Sequence, residues 1–254
     1  MTATDIGSFS DTMRLLKGAQ KSAASGAPAY SVYVNRRAGR VLAAAAFRLG
    51  LTPNMVTAIS AVFTFASILV IALVPTNVWV GIGVGLGLAI GYAFDSADGQ
   101  VARLRGGGSM SGEWLDHVVD CIKIATLHLA VVIAWYRFED VRGPTLLLPL
   151  AFSAVGSIAF FSMILNDQLK AVNAQRTGVV APRRAGSTLR SLMLLPTDYG
   201  IVCLVFLFFG LWPLFPVLYA ALLALQLIHL ALTLSKWFRD MRALDRENQK
   251  ARAR

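Results

Sequence analysis

Apolar residues along this chain gather into six runs, each near the length needed to cross about 30 Å of hydrocarbon. They fall at roughly 54–74, 78–102, 113–136, 145–168, 191–210 and 213–236. The pattern predicts an all-α integral membrane protein with six transmembrane helices. The second run loses its apolar character after Phe94, so its helix must continue as a polar segment beyond that point. The residues that follow then lie near a membrane face, not at the midplane. Gly210-Leu211-Trp212-Pro213 separates the last two runs and suits a tight hairpin. Ahead of the first run, a helical projection of residues 30–50 puts Arg36, Arg37, Arg40 and Arg48 on one side. Val34, Val41, Leu42, Ala45 and Leu49 fall on the other, the pattern of an amphipathic helix lying on the membrane surface.

Composition agrees with this placement. Apolar residues make up 56% of the 254 positions and charged ones 15%, against roughly 45–50% and 25% in soluble domains. Four regions follow: a polar tail at 1–29, the juxtamembrane amphipathic helix at 30–50, a six-helix membrane domain at 51–236, and a basic tail at 237–254. The first tail is rich in Ala, Ser and Gly, lacks the apolar core of a signal peptide, and is expected to be mobile. If the runs alternate across the bilayer, 21 of the 24 Lys and Arg residues share one side with both termini. That side is expected to be cytoplasmic. Topology and anionic lipid headgroups account for the net charge of +10, and no nucleic-acid motif is present. Cys121 and Cys203 both fall inside apolar runs, where they pack as small apolar residues and form no disulfide.

Against this background one pattern stands out: Asp95-x2-Asp98-Gly99-x2-Ala102-Arg103-x8-Gly112-x3-Asp116-x3-Asp120. Ionisable groups in membrane segments cost a few kcal/mol each on insertion scales, and four in close array also repel one another. Bound divalent cations relieve both penalties. Asp95 and Asp98 share a face of one helix, as Asp116 and Asp120 do on the next, so two adjacent helices converge four carboxylates. All-oxygen ligation favours a hard cation, Mg²⁺ first, with Mn²⁺ or Ca²⁺ behind it. Gly81, Gly83, Gly85, Gly87 and Gly91 predict close helix packing, and Gly106-Gly107-Gly108-Ser109 a flexible loop. Lys123, near the face of Asp116 and Asp120, reads as a counter-ion to the acidic cluster. His117 points about 100° away from Asp116 on a helix, and His128 and His229 read as packing residues.

The eight fixed positions resemble the signature of the CDP-alcohol phosphotransferases, also called CDP-alcohol phosphatidyltransferases. Upstream, Leu51-Thr52-Pro53-Asn54-x2-Thr57 resembles that family's approach to its first membrane helix. The resemblance implies transfer of a phospho-alcohol unit from a CDP-linked donor to an acceptor alcohol, with release of CMP. It also implies two metal ions, a homodimer and a place in phospholipid biosynthesis. Asp95, Asp98 and Asp116 match metal ligands, and Asp120 matches the general base that also touches a metal. Arg103 would clamp the donor phosphates, Gly99 and Ala102 would leave room for cytidine, and Asn54, Thr57 and Gly112 would complete the donor site.

The substrates are less determined. A bacterial-type reading has CDP-diacylglycerol as donor and a small alcohol or phosphorylated polyol as acceptor. Relatives of eukaryotic type instead join a CDP-amino alcohol to a lipid acceptor. Lys170, Arg176, Arg183 and Arg184 suit an acceptor phosphate, although topology alone also asks for cations there. A divalent-cation transporter could use four aspartates as a transit site, but it has no use for Arg103 beside them. A scaffold without activity has no need of an intact set of aspartates.

Overall fold

In the computed structural model the described residues are 8–18, 27–178 and 187–252, and they are helical with no strand among them. The helices are α1 (Phe9–Gly18), α2 (Arg36–Arg48), α3 (Pro53–Leu73), α4 (Val78–Leu104), α5 (Met110–Phe138), α6 (Leu147–Thr177), α7 (Thr188–Met193), α8 (Tyr199–Phe206) and α9 (Leu214–Arg252). A short π-helical stretch, Ser31–Asn35, leads directly into α2. Among the described residues, five segments are long and apolar enough to cross a membrane: Pro53–Leu73, Val78–Leu104, Met110–Phe138, Gly143–Thr177 and Leu214–Gln249.

The chain starts these helices with local hydrogen-bond acceptors. Thr52 accepts from the Met55 N–H with Pro53 in the first turn, Asn77 from Trp79 and Val80, and Ser109 from Gly112. Each satisfies an amide that has no partner within its own helix. Gly178, with φ of 69°, ends α6 in the left-handed conformation that a residue without Cβ adopts freely.

Three expectations need correction. The run at 191–210 is not one helix but α7, a 3-10 turn at Leu195–Thr197, and the eight-residue α8. Pro196 cannot continue a helix through this stretch, and the Asp198 carboxylate starts a new one by accepting from the Gly200 N–H. The expected mobile tail is also ordered in part. Phe9–Gly18 forms α1, whose Leu16 is buried among Ala43, Ala44, Phe47 and Val56. Residues 1–7 and 19–26 of that tail lie outside the described residues, as do 253–254 at the other end. The last helix overruns its expected limit of 236. At about 1.5 Å per residue, the 39 residues of α9 span close to 58 Å.

Glycines set how close α4 comes to its neighbours. A Cβ on Gly91 would overlap Thr64 of α3 and lie 3.2 Å from the Ser60 carbonyl oxygen, while one on Gly87 would overlap Ser67. Ser60 Oγ donates to the Gly91 carbonyl at 2.8 Å across this contact. Gly81 and Gly85 receive the turn after α8, and Gly39 of α2 faces Ser96. With no side chains between them, the backbones gain dispersion contacts that lipid tails cannot match. The larger core joins α3, α4, α5, α6, α8 and α9 around Trp135, Phe152, Phe206, Phe215 and Tyr219. A smaller one joins α1, α2, α3 and the end of α4 that carries the acidic motif.

Candidate functional site

The acidic motif spans the last turns of α4 and the first turns of α5. Asp95, Asp116 and Asp120 each offer a carboxylate oxygen, and these oxygens all lie within 4.8 Å of one another. The two helices therefore bring carboxylates together, but in a cluster of three and not four among the described residues. Asp98 is turned toward α3, where it accepts a hydrogen bond from Thr57 Oγ1 at 2.7 Å, although it remains within electrostatic reach of Asp116 and Asp95.

Lys123 supplies positive charge to the cluster. Its ammonium pairs with Asp120, one turn earlier on α5, and lies 3.8 Å from Asp95 Oδ1. The lysine side chain is 7% exposed, against 20% for Asp95 and 22% for Asp120. Three carboxylates and one ammonium leave a negative, all-oxygen site, a donor set that fits a hard divalent cation.

Beside the cluster opens a cavity of about 870 Å³. Its wall includes Asn54 and Thr57 of α3, Asp98, Gly99, Ala102 and Arg103 of α4, and Gly112 and Asp116 of α5. All six positions named for the CDP donor thus meet in one space. Gly99 leaves that space open, since an added Cβ would meet only the Arg103 guanidinium at 3.6 Å. Gly112 allows Asn54 to approach, because an added Cβ would lie 3.1 Å from Asn54 Oδ1.

Several residues at the site carry no signal in the sequence pattern. Arg105 and Glu113 also line the cavity, beside Gly107, Gly108 and Ser109 of the glycine loop that the sequence did single out. Arg105 donates to the Gly50 and Leu51 carbonyls at 2.9 and 3.0 Å, fastening the α2–α3 turn to the end of α4. Tyr199 of α8 lies beneath Lys123, with Nζ 4.7 Å from its ring centroid. Only the break in the fifth apolar run, Pro196-Thr197-Asp198-Tyr199-Gly200, hints at α8.

The expected acceptor cations are placed differently. Lys170 on α6 pairs with Asp240 of α9 at 3.1 Å. Arg176 is exposed in the last turn of α6, and neither residue lines the cavity. Arg183 and Arg184 lie outside the described residues. His117 stands 3.9 Å from Glu113, and His128 shares a 2.5 Å hydrogen bond with Tyr219 in the large core. Neither cysteine is bonded to another.

The family model of the CDP-alcohol phosphatidyltransferases matches residues 50–236. No curated protein matches the sequence. Solved structures similar to this chain include Mycobacterium tuberculosis phosphatidylinositol phosphate synthase (PgsA1) with CDP-DAG bound. It shows 21% identity and a TM-score of 0.47, over 81% of this chain and 94% of that one. The same enzyme in complex with manganese and citrate gives 21%, 0.46, 78% and 87%. Its apo form gives 22%, 0.45, 76% and 93%.

Proposed function

This chain belongs to the CDP-alcohol phosphatidyltransferase family, as the match over residues 50–236 shows, and from that premise we propose that it transfers a phosphatidyl group from CDP-diacylglycerol to a small alcohol or phosphorylated polyol. The protein is an integral membrane transferase of phospholipid biosynthesis. The observation that carries the proposal is the meeting of Asp95, Asp116 and Asp120 beside a cavity walled by Gly99, Ala102 and Arg103.

Arg103 binds the donor diphosphate as a fixed cation, and Gly99 with Ala102 admits the cytidine. Asn54, Thr57 and Gly112 close the opposite wall. The acceptor oxygen attacks the phosphorus that bears diacylglycerol, the bond from that phosphorus to the CMP oxygen breaks, and CMP leaves with the electron pair. Asp120 takes the acceptor proton; Lys123 holds one oxygen of this carboxylate and leaves a second for the transfer. One or two divalent cations, Mg²⁺ or Mn²⁺, held by Asp95, Asp98, Asp116 and Asp120, would neutralise the charge that develops on the phosphates. A cation transporter is the weaker reading, since Arg103 sits in the cavity that transit would have to use.

The charge asymmetry supports an active site and both termini on the cytoplasmic side, and the bacterial-type donor goes with a bacterial cell membrane. The run at 191–210 serves as the sixth crossing in broken form, and the exposed stripe Val34, Val41 and Leu49 of the juxtamembrane segment rests on the lipid surface. The family resemblance implies a homodimer.

The decisive experiment incubates purified protein with CDP-diacylglycerol and a panel of alcohols and polyol phosphates, and measures CMP release. Release with one acceptor class identifies the substrate. Release only from a CDP-amino alcohol with diacylglycerol would reverse the assignment of donor and acceptor. No release from any pair would overturn the proposal.

A further inference from the structure

Two of the three clustered carboxylates already have a cation. Lys123 pairs with Asp120 and approaches Asp95 to 3.8 Å, and these are carboxylates that a divalent ion at the cluster would share. The ammonium is also held from a third direction by the face of Tyr199, 4.7 Å from its centroid.

Tyr199 is itself fixed by the start of α8. Asp198 accepts from the Gly200 N–H at 3.0 Å, from the Ser31 N–H at 2.6 Å and from the Tyr92 hydroxyl at 3.2 Å. The Tyr92 ring meets Tyr199 edge-on at 5.3 Å between centroids. The lysine is therefore seated by a built surround and is not a side chain that happened to fold inward.

We propose that Lys123 is an internal counter-cation that competes with the divalent ion for Asp95 and Asp120 and thereby sets the metal affinity of the site. The proposal rests on the metal-centre reading above. Its physical basis is twofold. Without a divalent ion, Lys123 relieves repulsion among carboxylates at close quarters. When one binds, the ammonium must yield its carboxylates or remain as a nearby like charge, and both weaken binding where water is sparse. Tyr199 holds the ammonium in place and so favours the lysine over the metal.

The test is calorimetric titration of Mn²⁺ alone into the purified full-length protein. Removing the competing charge in Lys123→Met should tighten the dissociation constant by about tenfold or more. Tyr199→Leu, which removes the ring face, should tighten it by about two- to fivefold, while Tyr199→Phe should match wild type. Binding in wild type with an unchanged or weaker constant in Lys123→Met overturns the competition and leaves the metal centre standing. If that variant does not fold, unchanged affinity in Tyr199→Leu overturns it equally. No binding of Mn²⁺ to wild type overturns the metal centre itself, and this proposal with it.

Discussion

The Thr57 hydroxyl donates to Asp98 Oδ2 at 2.7 Å across the α3–α4 contact, which fixes the orientation of the one aspartate of the motif that lies outside the cluster of three. The same hydroxyl lies 3.2 Å from the Pro53 carbonyl oxygen, so its own position is fixed by the first turn of α3. Thr57→Val keeps the side-chain shape and removes the donor. A hydrogen bond to a charged group contributes about 1.5–3 kcal/mol, so CMP release should fall roughly 10- to 100-fold, with Thr57→Ser close to wild type. Equal activity in the valine and serine variants would show that Asp98 needs no such support.

Chelation should abolish turnover, and added Mg²⁺ or Mn²⁺ should restore it. An anionic diphosphate cannot settle beside Asp98 and Asp116 while their charge is unopposed. The measurement is CMP release in excess EDTA, followed by metal add-back; undiminished release in EDTA contradicts the reading.

Asp120→Asn should lower turnover by about 10²- to 10⁴-fold, the usual loss on removing a general base, with donor affinity largely kept. Asp95→Asn and Asp98→Asn should weaken both. Donor binding and single-turnover rates separate the two patterns, and the same loss of donor binding in all three variants would dissolve the division of roles.

The acceptor cations divide by their surroundings. Arg176→Gln should raise the apparent KM for a phosphorylated acceptor, because the side chain is exposed and able to meet one. Lys170→Gln should change that KM less, since its ammonium is already committed to Asp240. If neither variant moves the KM, the basic segment serves topology, not substrate binding.

Helix periodicity puts Asp95 and Asp98 on one face and Asp116 and Asp120 on another, and the expected convergence of all four is met by Asp95, Asp116 and Asp120. Periodicity could not show that Asp98 turns to Thr57, since that depends on where α3 packs. Lys123 was legible as a counter-ion for the same periodic reason, whereas its seat on Tyr199 was not. Tyr199 arrives from a segment nearly eighty residues later, through a helix that exists only because Pro196 and Asp198 interrupt an apolar run. Hydropathy sums average over such interruptions. They also miss the continuation of α9 beyond 236, where helix formers replace apolar residues without any change of conformation.

Gly91→Ala should destabilise the protein by about 1–3 kcal/mol through overpacking against Thr64 and Ser60. Gly83→Ala, with nothing within 4 Å of the new methyl, should be neutral or slightly stabilising. Thermal unfolding in detergent would distinguish them, and equal transitions would mean that α3 retreats without penalty.

The bare surface of α4 also bears on how this sequence can vary. At Gly81, Gly85, Gly87 and Gly91 the neighbouring chain stands where a methyl group would go, and Gly39 of α2 repeats that contact beside Asp95 and Asp98. Together these contacts press α4 from three sides, by the turn after α8, by α3 and by α2, so a larger residue at any of the five pushes the helix toward another tight contact. A saturation library should therefore accept almost nothing there but the native residue, while Gly83, two residues from both Gly81 and Gly85 but with open space around an added methyl, accepts many. The aspartates would then be guarded at a distance by sites that never touch a substrate and have no chemistry of their own to lose.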